Sequence, residues 1–303
     1  IKAALVNSEG EILCEAGIPT NLPRPAEAVC DDIATLCLQL AEGKDVAGVG
    51  VGCPGTVDGG TVLYSNNLDW HDFAMEEYLA QKTGLPVAVG NDANVAALGE
   101  QWRGGGRGFD NIVMVTLGTG VGGGIIMDGK ILTGENGAAG EIGHITVNPK
   151  ETLTCGCGCK GCLEQYSSAT GVIRMAKERL EASDKPSELR KFSADEIGGK
   201  EVFDAYKAGD ELAAEAVNEF AIYLGMGLGN VASVVDTQAF VIGGGLSKNG
   251  PVVIDIVKEQ YKKNVMFALK NTEFRLAELG NDAGMYGAVP VSYTHLRAHE
   301  TGA

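Results

Sequence analysis

Apolar and polar residues alternate at the start of the chain, over 1–6 and 11–17, around the polar stretch N7-S-E-G10. Two such runs joined by a Gly-ended turn predict a β-hairpin. The period then changes. From Pro25, the residues Val29, Ile33, Leu36, Cys37 and Leu40 recur at helical spacing, which predicts a helix opened by proline with this face inward. V-A-G-V-G-V-G (46–52) predicts a buried strand, and C-P-G-T-V-D-G-G a turn-rich loop after it. Residues 73–83 predict a short helix closed by Gly84. P-V-A-V-G (86–90) predicts a strand ending at Asn91-Asp92, with a helix to about Trp102. Strand, helix, strand, helix is the pattern of an α/β protein with parallel strands.

R-G-G-G-R-G (103–108) interrupts this pattern like a hinge. A strand over 112–117 then runs into G-T-G-V-G-G-G (118–124), and I-I-M-D-G-K-I-L predicts a second hairpin. Its outline repeats that of K-A-A-L-V-N-S-E-G-E-I-L at the start, which points to two related halves. A Gly-rich loop precedes the second hairpin, so a matching loop is expected upstream of Ile1. Residues 166–235 predict mainly helix, with a charged, exposed connection at 181–200 and a long helix over 210–235 that turns Leu212, Ala216, Phe220, Leu224 and Gly227 inward. A-F-V-I (239–242) predicts a strand ending in Gly243-Gly244-Gly245, Pro251 opens a helix, 274–279 the last strand, and 282–290 the start of a closing helix. The tail, 291–303, continues none of these patterns; it reads as non-native and is set aside, although His295 and His299 stand i, i+4 apart.

Composition narrows the picture. At 303 residues, 45% hydrophobic with 44 Gly, the chain can bury a large core and is expected to form two domains. A formal net charge of −16 opposes a nucleic-acid surface, which needs Lys and Arg against phosphates. It does not oppose a phosphorylated small molecule, because backbone N–H groups hold phosphate without basic side chains. No apolar run reaches the length of a membrane span, and no signal-peptide pattern opens the chain. Cys14, Cys30, Cys37 and Cys53 have no paired spacing, which fits a reducing, cytoplasmic setting.

The candidate chemistry concentrates in 141–164. His144, Cys155, Cys157 and Cys162 make four ligands, the number a closed tetrahedral zinc site needs. Cys159 is the surplus thiol. Four chance cysteines in a Gly-rich loop is the alternative, and half of the chain's eight Cys lying within 155–162 weighs against it. A zinc there would draw Glu141 and Glu164 together. Glycines also follow strands three times, at G52-C-P-G55, L117-G-T-G-V-G-G-G124 and I242-G-G-G245. Such loops aim N–H groups into a concavity suited to anionic oxygens, and Thr119 adds a hydroxyl. Neither the P-loop nor the dinucleotide pattern is present. Tight turns without a ligand remain the alternative for any one loop. Asp92 reads equally as a helix N-cap or as a general base at the C-terminal end of a strand. Asn91 and Asn94 suit a polyol, and Asn66-Asn67 is either a polar turn or a pair of sugar-contacting amides.

These stretches resemble the ROK family (repressors, open reading frames and kinases), and within it the bacterial glucokinases. The resemblance rests on C53-P-G-T-V-D58, N91-D-A-N-V-A-A97, L117-G-T-G-V-G-G-G124, E141-I-G-H144, C155-G-C-G-C-K-G-C-L-E164 and V241-I-G-G-G-L-S247. It implies an α/β, actin-like (ribonuclease-H-like) ATPase fold with two lobes, a duplicated core and a zinc-binding insertion. The N-terminal lobe would cover 1–112, completed by the helix from about 282–290, and the C-terminal lobe 113–281. The implied reaction is ATP-dependent phosphorylation of glucose, with Mg and a structural zinc. Asp92 would be the catalytic base. Gly55, Asn67, Asn91, Glu141, His144 and Glu164 would hold the sugar. Gly118, Thr119 and Gly120 would meet the ATP phosphates, and Gly244 and Gly245 the adenosine. His144, Cys155, Cys157 and Cys162 would bind zinc. Such kinases are commonly homodimers. The family's first phosphate loop, D-x-G-G-T, is expected just upstream of residue 1, the position the internal repeat also indicates, and without it the chain is expected to bind sugar and zinc but to transfer phosphate poorly. Three other readings compete: a kinase for another hexose or N-acetylmannosamine, a sugar-sensing repressor lacking its DNA-binding module, and a catalytically dead, zinc-stabilised sugar-binding protein.

Overall fold

The computed structural model describes the backbone of residues 1–300 and the side chains of residues 1–292; His295 and His299 of the set-aside tail therefore lie outside the described side chains. The chain forms two compact units. One comprises Ile1–Asp110, Gly124–Ala139 and the chain from Leu279 onward; the other comprises Asn111–Gly123 and Gly140–Glu278. Residues 124–139, expected in the second lobe, group with the first unit.

The first unit opens with the predicted hairpin, β1 (Lys2–Val6) against β2 (Ile12–Gly17). Helix α1 (Ala26–Ala41) follows Pro25, and β3 (Val49–Cys53) follows α1. Three strands then appear that the sequence reading did not name, the first of them inside the stretch read as a turn-rich loop: β4 (Thr56–Asp58), β5 (Thr61–Ser65) and β6 (Trp70–Phe73) form an antiparallel sheet. Gly59 and Gly60, both at positive φ, make the turn between β4 and β5. Helix α2 (Met75–Thr83) ends at Gly84 in the left-handed conformation, as expected. β7 (Val87–Asn91) pairs in parallel with β3, and α3 (Asp92–Arg103) follows directly.

The core of this unit gathers Val29, Cys30, Val62, Trp70, Met75 and Leu79 from α1, the three-stranded sheet and α2. β3 is less buried than expected: only Cys53 is fully covered. The reason is a cavity of about 780 Å³, lined by Lys2–Val6 of β1 on one side and Val49–Cys53 of β3 on another. Ile33, Cys37 and Leu40 of α1 line the same cavity, so they are half-buried although they belong to the predicted inward face.

The second unit is built on β8 (Ile112–Leu117). β9 (Val121–Met127) carries the chain out of it, and β10 (Lys130–Ile131) completes the second hairpin across Asp128-Gly129, both at positive φ. Helices α4 (Glu164–Ser167), α5 (Ala169–Ala182), α6 (Gly199–Lys207) and α7 (Glu211–Val235) follow. The 181–200 connection is mostly exposed, but Leu189 is buried and pins it. Asp210 caps α7 by accepting from the Ala213 N–H, and the predicted face of Leu212, Ala216, Phe220, Leu224 and Gly227 is buried. β11 (Ala239–Gly243) lies parallel between β8 and β12 (Glu273–Leu276) and is buried throughout. α8 (Pro251–Asn264) begins at its proline. Phe240, Tyr261 and Phe274 pack with ring centroids 5.1–5.7 Å apart.

The closing helix α9 (Ala283–Glu300) packs against α3 in the first unit. The approach is backbone to backbone. A Cβ on Gly99 would come within 2.1 Å of the Ala283 carbonyl oxygen, and one on Gly287 within 1.6 Å of that of Val95. Any larger residue at either position would push the helices apart. No helix among the described residues is long and apolar enough to cross a membrane.

Candidate active site

The site residues fall into two sets, one in each unit. In the first unit, β3 and β7 run in parallel and end level, with Cys53 opposite Asn91. Chain segments leaving the C-terminal ends of parallel strands are where α/β sheets place ligands. Asn91, not Asp92, caps α3: its Oδ1 accepts from the N–H groups of Ala93 and Asn94 at 3.0 and 3.1 Å. Its Nδ2 donates to the Gly55 carbonyl at 2.8 Å. This amide, expected on a sugar hydroxyl, is committed to the backbone and ties two site loops together. Asp92 is left exposed at the first helical position, its Oδ1 accepting only from the next N–H, of Ala93. Asn94 is buried, and its Oδ1 has no hydrogen-bond partner. Burial pushes the nearby Cys53 thiol up to about 12, and the Asp92 charge adds to it. Asn67 lies exposed in the turn between β5 and β6, beside Asn66, which accepts from the Tyr64 hydroxyl at 3.1 Å.

In the second unit, the chain from Glu141 to Glu164 folds back on itself. Glu141 precedes a 3-10 turn, Ile142–His144, and the bridges Thr146–Cys162 and Thr154–Lys160 close the loop. The ligand atoms of His144, Cys155, Cys157 and Cys162 all lie within 4.8 Å of one another. Cys155 Sγ stands 3.8 Å from His144 Nδ1, and the Sγ atoms of Cys157 and Cys162 are 3.6 Å apart. Tetrahedral zinc with Zn–S bonds of about 2.3 Å needs ligand atoms roughly 3.5–3.8 Å apart, so this donor set fits the metal in number, type and spacing. Cys159 is exposed and stands outside the group. Burial holds the Cys155 and Cys162 thiols up, whereas the Cys159 N–H holds Cys157 down.

Two carboxylates flank the cluster at His144. His144 Nδ1 faces Cys155 and lies 3.7 Å from Glu164 Oε1, while its Nε2 lies 3.9 Å from Glu141 Oε2. One ring nitrogen therefore points to the metal ligands and the other to the exposed side. The Cys155 thiol donates to Glu164 Oε1 at 2.9 Å. The other Glu164 oxygen, Oε2, lies so near Gly120 that a Cβ there would approach it to 2.6 Å. Glu164 thus links the cysteine cluster to the Gly118–Gly120 loop, a contact that sequence spacing could not show.

The Gly loops also meet. The Gly118 N–H donates to the Gly120 carbonyl at 3.0 Å, and the Gly118 carbonyl accepts from Ala169, the first residue of α5, at 2.8 Å. Gly244 adopts φ 85°, and a Cβ there would stand 2.5 Å from the Leu117 carbonyl oxygen. The turns after β8 and β11 can pack this closely only because that residue is glycine. Thr119 and Gly245 are exposed beside them. The residues missed from sequence are those acting through the backbone: Gln165, for example, accepts from the Cys162 N–H at 3.0 Å and donates to the Leu153 carbonyl at 3.0 Å.

The pattern of the ROK family matches residues 1–293. A glucokinase of Halalkalibacterium halodurans is 42% identical over 298 residues, covering 95% of this chain and 90% of its own. One of Streptomyces coelicolor is 39% identical over 300 residues, covering 96% and 94%. The crystal structure of a ROK family glucokinase from Streptomyces griseus, in complex with glucose and AMPPNP, is 38% identical, covers 96% of this chain and 95% of that one, and superposes with a TM-score of 0.76. The chain, with its actin-like sugar-kinase fold, belongs to the ROK family.

Proposed function

We propose that this protein is a glucokinase, transferring the γ-phosphoryl group of ATP to the primary hydroxyl of glucose. The observation that carries the chemical part of this reading is the division of labour at α3. Because Asn91 takes the cap, Asp92 keeps a free carboxylate at the end of a parallel strand pair. A carboxylate so placed is a general base: it accepts the hydroxyl proton as the sugar oxygen forms its bond to the γ-phosphorus and the bond to the ADP oxygen breaks.

Phosphoryl transfer asks the protein mainly for positioning and charge stabilisation. Gly118, Thr119 and Gly120 offer N–H groups and a hydroxyl to the phosphates, and Gly244 and Gly245 give the adenosine a backbone surface free of side chains. Mg²⁺ bound with ATP would supply charge neutralisation at the phosphate oxygens. Glu141, Glu164 and the outward nitrogen of His144 orient the sugar ring, with Asn67 a further amide donor; Asn91 and Gly55 act by holding the turn that presents Asp92. His144, Cys155, Cys157 and Cys162 would hold a structural zinc and so fix the His144 ring, letting one residue serve both metal and sugar. Eight cysteines with no disulfide among the described residues suit a reducing cytoplasm. A homodimer belongs to the same reading; light scattering on the purified protein would return one chain's mass if it is wrong.

The test is an ADP-release assay across glucose, fructose, mannose, allose and N-acetylmannosamine. Glucose should give the highest kcat/KM. Silence with glucose beside a strong rate on another sugar would overturn the substrate assignment while leaving the kinase intact.

A further inference from the structure

Glu164 opens α4, a helix of four residues, Glu164–Ser167. One turn makes too few internal hydrogen bonds to hold itself, so its place is set by outside contacts. One set of them comes from Tyr166. That residue is 3% exposed, and its ring packs on Tyr223 with centroids 4.0 Å apart. Its hydroxyl donates to Glu151 Oε2 and accepts from Asn148 Nδ2 at 2.8 Å. Glu151 lies on the far limb of the cysteine loop, and its Oε1 accepts from the N–H groups of Thr152 and Leu153 at 2.7 and 2.9 Å. The Leu153 N–H and the phenol hold the Glu151 carboxyl below its usual range; burial and Glu151 push the Tyr166 phenol up. Donor and acceptor are thereby held in a charge-assisted bond.

We infer that Tyr166 and Glu151 are positioning residues for the sugar site, locking α4, and with it Glu164, to the outer limb of the cysteine loop by a route that includes none of the four candidate metal ligands. The inference rests on the reading of Glu164 as a glucose-orienting group. Glu164 is then held at its backbone by the acid–phenol couple, while its carboxylate lies 3.7 Å from His144 Nδ1. The couple touches no substrate; it acts by limiting how far the first residue of a short helix can wander. Small displacements of an orienting group are enough to weaken the binding of one substrate while sparing the other.

Tyr166→Phe deletes the hydroxyl and keeps the ring stack. Glu151→Ala removes the acceptor, and Glu151→Gln retains one. Steady-state kinetics on the zinc-loaded protein should show the KM for glucose rising about tenfold in Tyr166→Phe and Glu151→Ala, in keeping with a lost hydrogen bond to a charged group. The KM for ATP and kcat should stay within about twofold, and Glu151→Gln should recover most of the loss. The double variant should cost less than the sum of the two single changes, because both break the Tyr166–Glu151 bond. Zinc content should remain one per chain throughout. An unchanged glucose KM beside a lowered melting temperature would make the couple merely structural and overturn the inference. Loss of zinc in step with affinity would overturn it too, since the lock would then act through the metal. A wild-type chain inert on glucose would sink the kinase reading instead. Amide hydrogen exchange at residues 164–167 would then decide the lock: faster exchange in Tyr166→Phe at unchanged zinc supports it, and equal exchange refutes it.

Discussion

Two adjacent side chains at the start of α3 divide the work of one position. Asn91 satisfies the first orphan N–H groups of the helix, and Asp92 takes no part in the cap beyond a contact with its own neighbour. Asp92→Asn should therefore leave the fold and glucose binding intact while lowering turnover by about 10² to 10⁴-fold, the usual worth of a general base. Calorimetric titration with glucose beside the ADP-release assay checks this; undiminished turnover would remove Asp92 from the mechanism. Residue type and spacing alone could not decide which of the two was the cap, because both are good cap formers. The two glycines that matter most are also matters of contact: Gly120 admits Glu164, and Gly244 admits the Leu117 carbonyl.

At the scale of elements, the cysteine loop is the part most dependent on chemistry beyond ordinary packing. It has two isolated bridges and no strand of its own. A structural metal contributes folding free energy directly to such a loop. Stripping the metal with a chelator, or changing the exposed ligand Cys157 to Ser, should remove one zinc per chain and raise the glucose KM at least about tenfold, with little change in helical circular dichroism. Verified metal loss with an unaltered KM would end the role of zinc as a clamp on His144. Elsewhere, long periodic elements matched their patterns closely. Helix α7 buries the predicted face from Leu212 to Gly227, and β8 spans the predicted strand. The sheet β4–β5–β6 was not legible, because its strands are short, the first lies in a Gly-rich turn-like stretch, and only their mutual pairing makes them a sheet.

For the molecule as a whole, the buried thiols carry a consequence for pH. Cys30 and Cys53 sit in the core of the first unit, and burial pushes both from 9.0 to about 12. A thiol raised in the folded state contributes stability that is complete below its unfolded value and is lost as pH climbs through the folded one. Stability to urea should thus hold below pH about 9 and decline between about 9 and 12. Cys30→Ala should flatten that decline; an identical slope in the variant would exclude the thiol as its cause.

The alternation of strands and helices outside β4–β6, the inward face of α7, the hairpins and the metal-ligand spacing were written in local sequence, since each depends on periodicity or on residues a few positions apart. The half-exposed β3, the placing of 124–139 with the first unit, the cap at Asn91, the meeting of Glu164 with Gly120, and the tie from Glu151 to Tyr166 came only from tertiary structure. Each depends on distances between segments remote in the chain, and on who has already satisfied whose hydrogen bonds, which no spacing along one segment encodes.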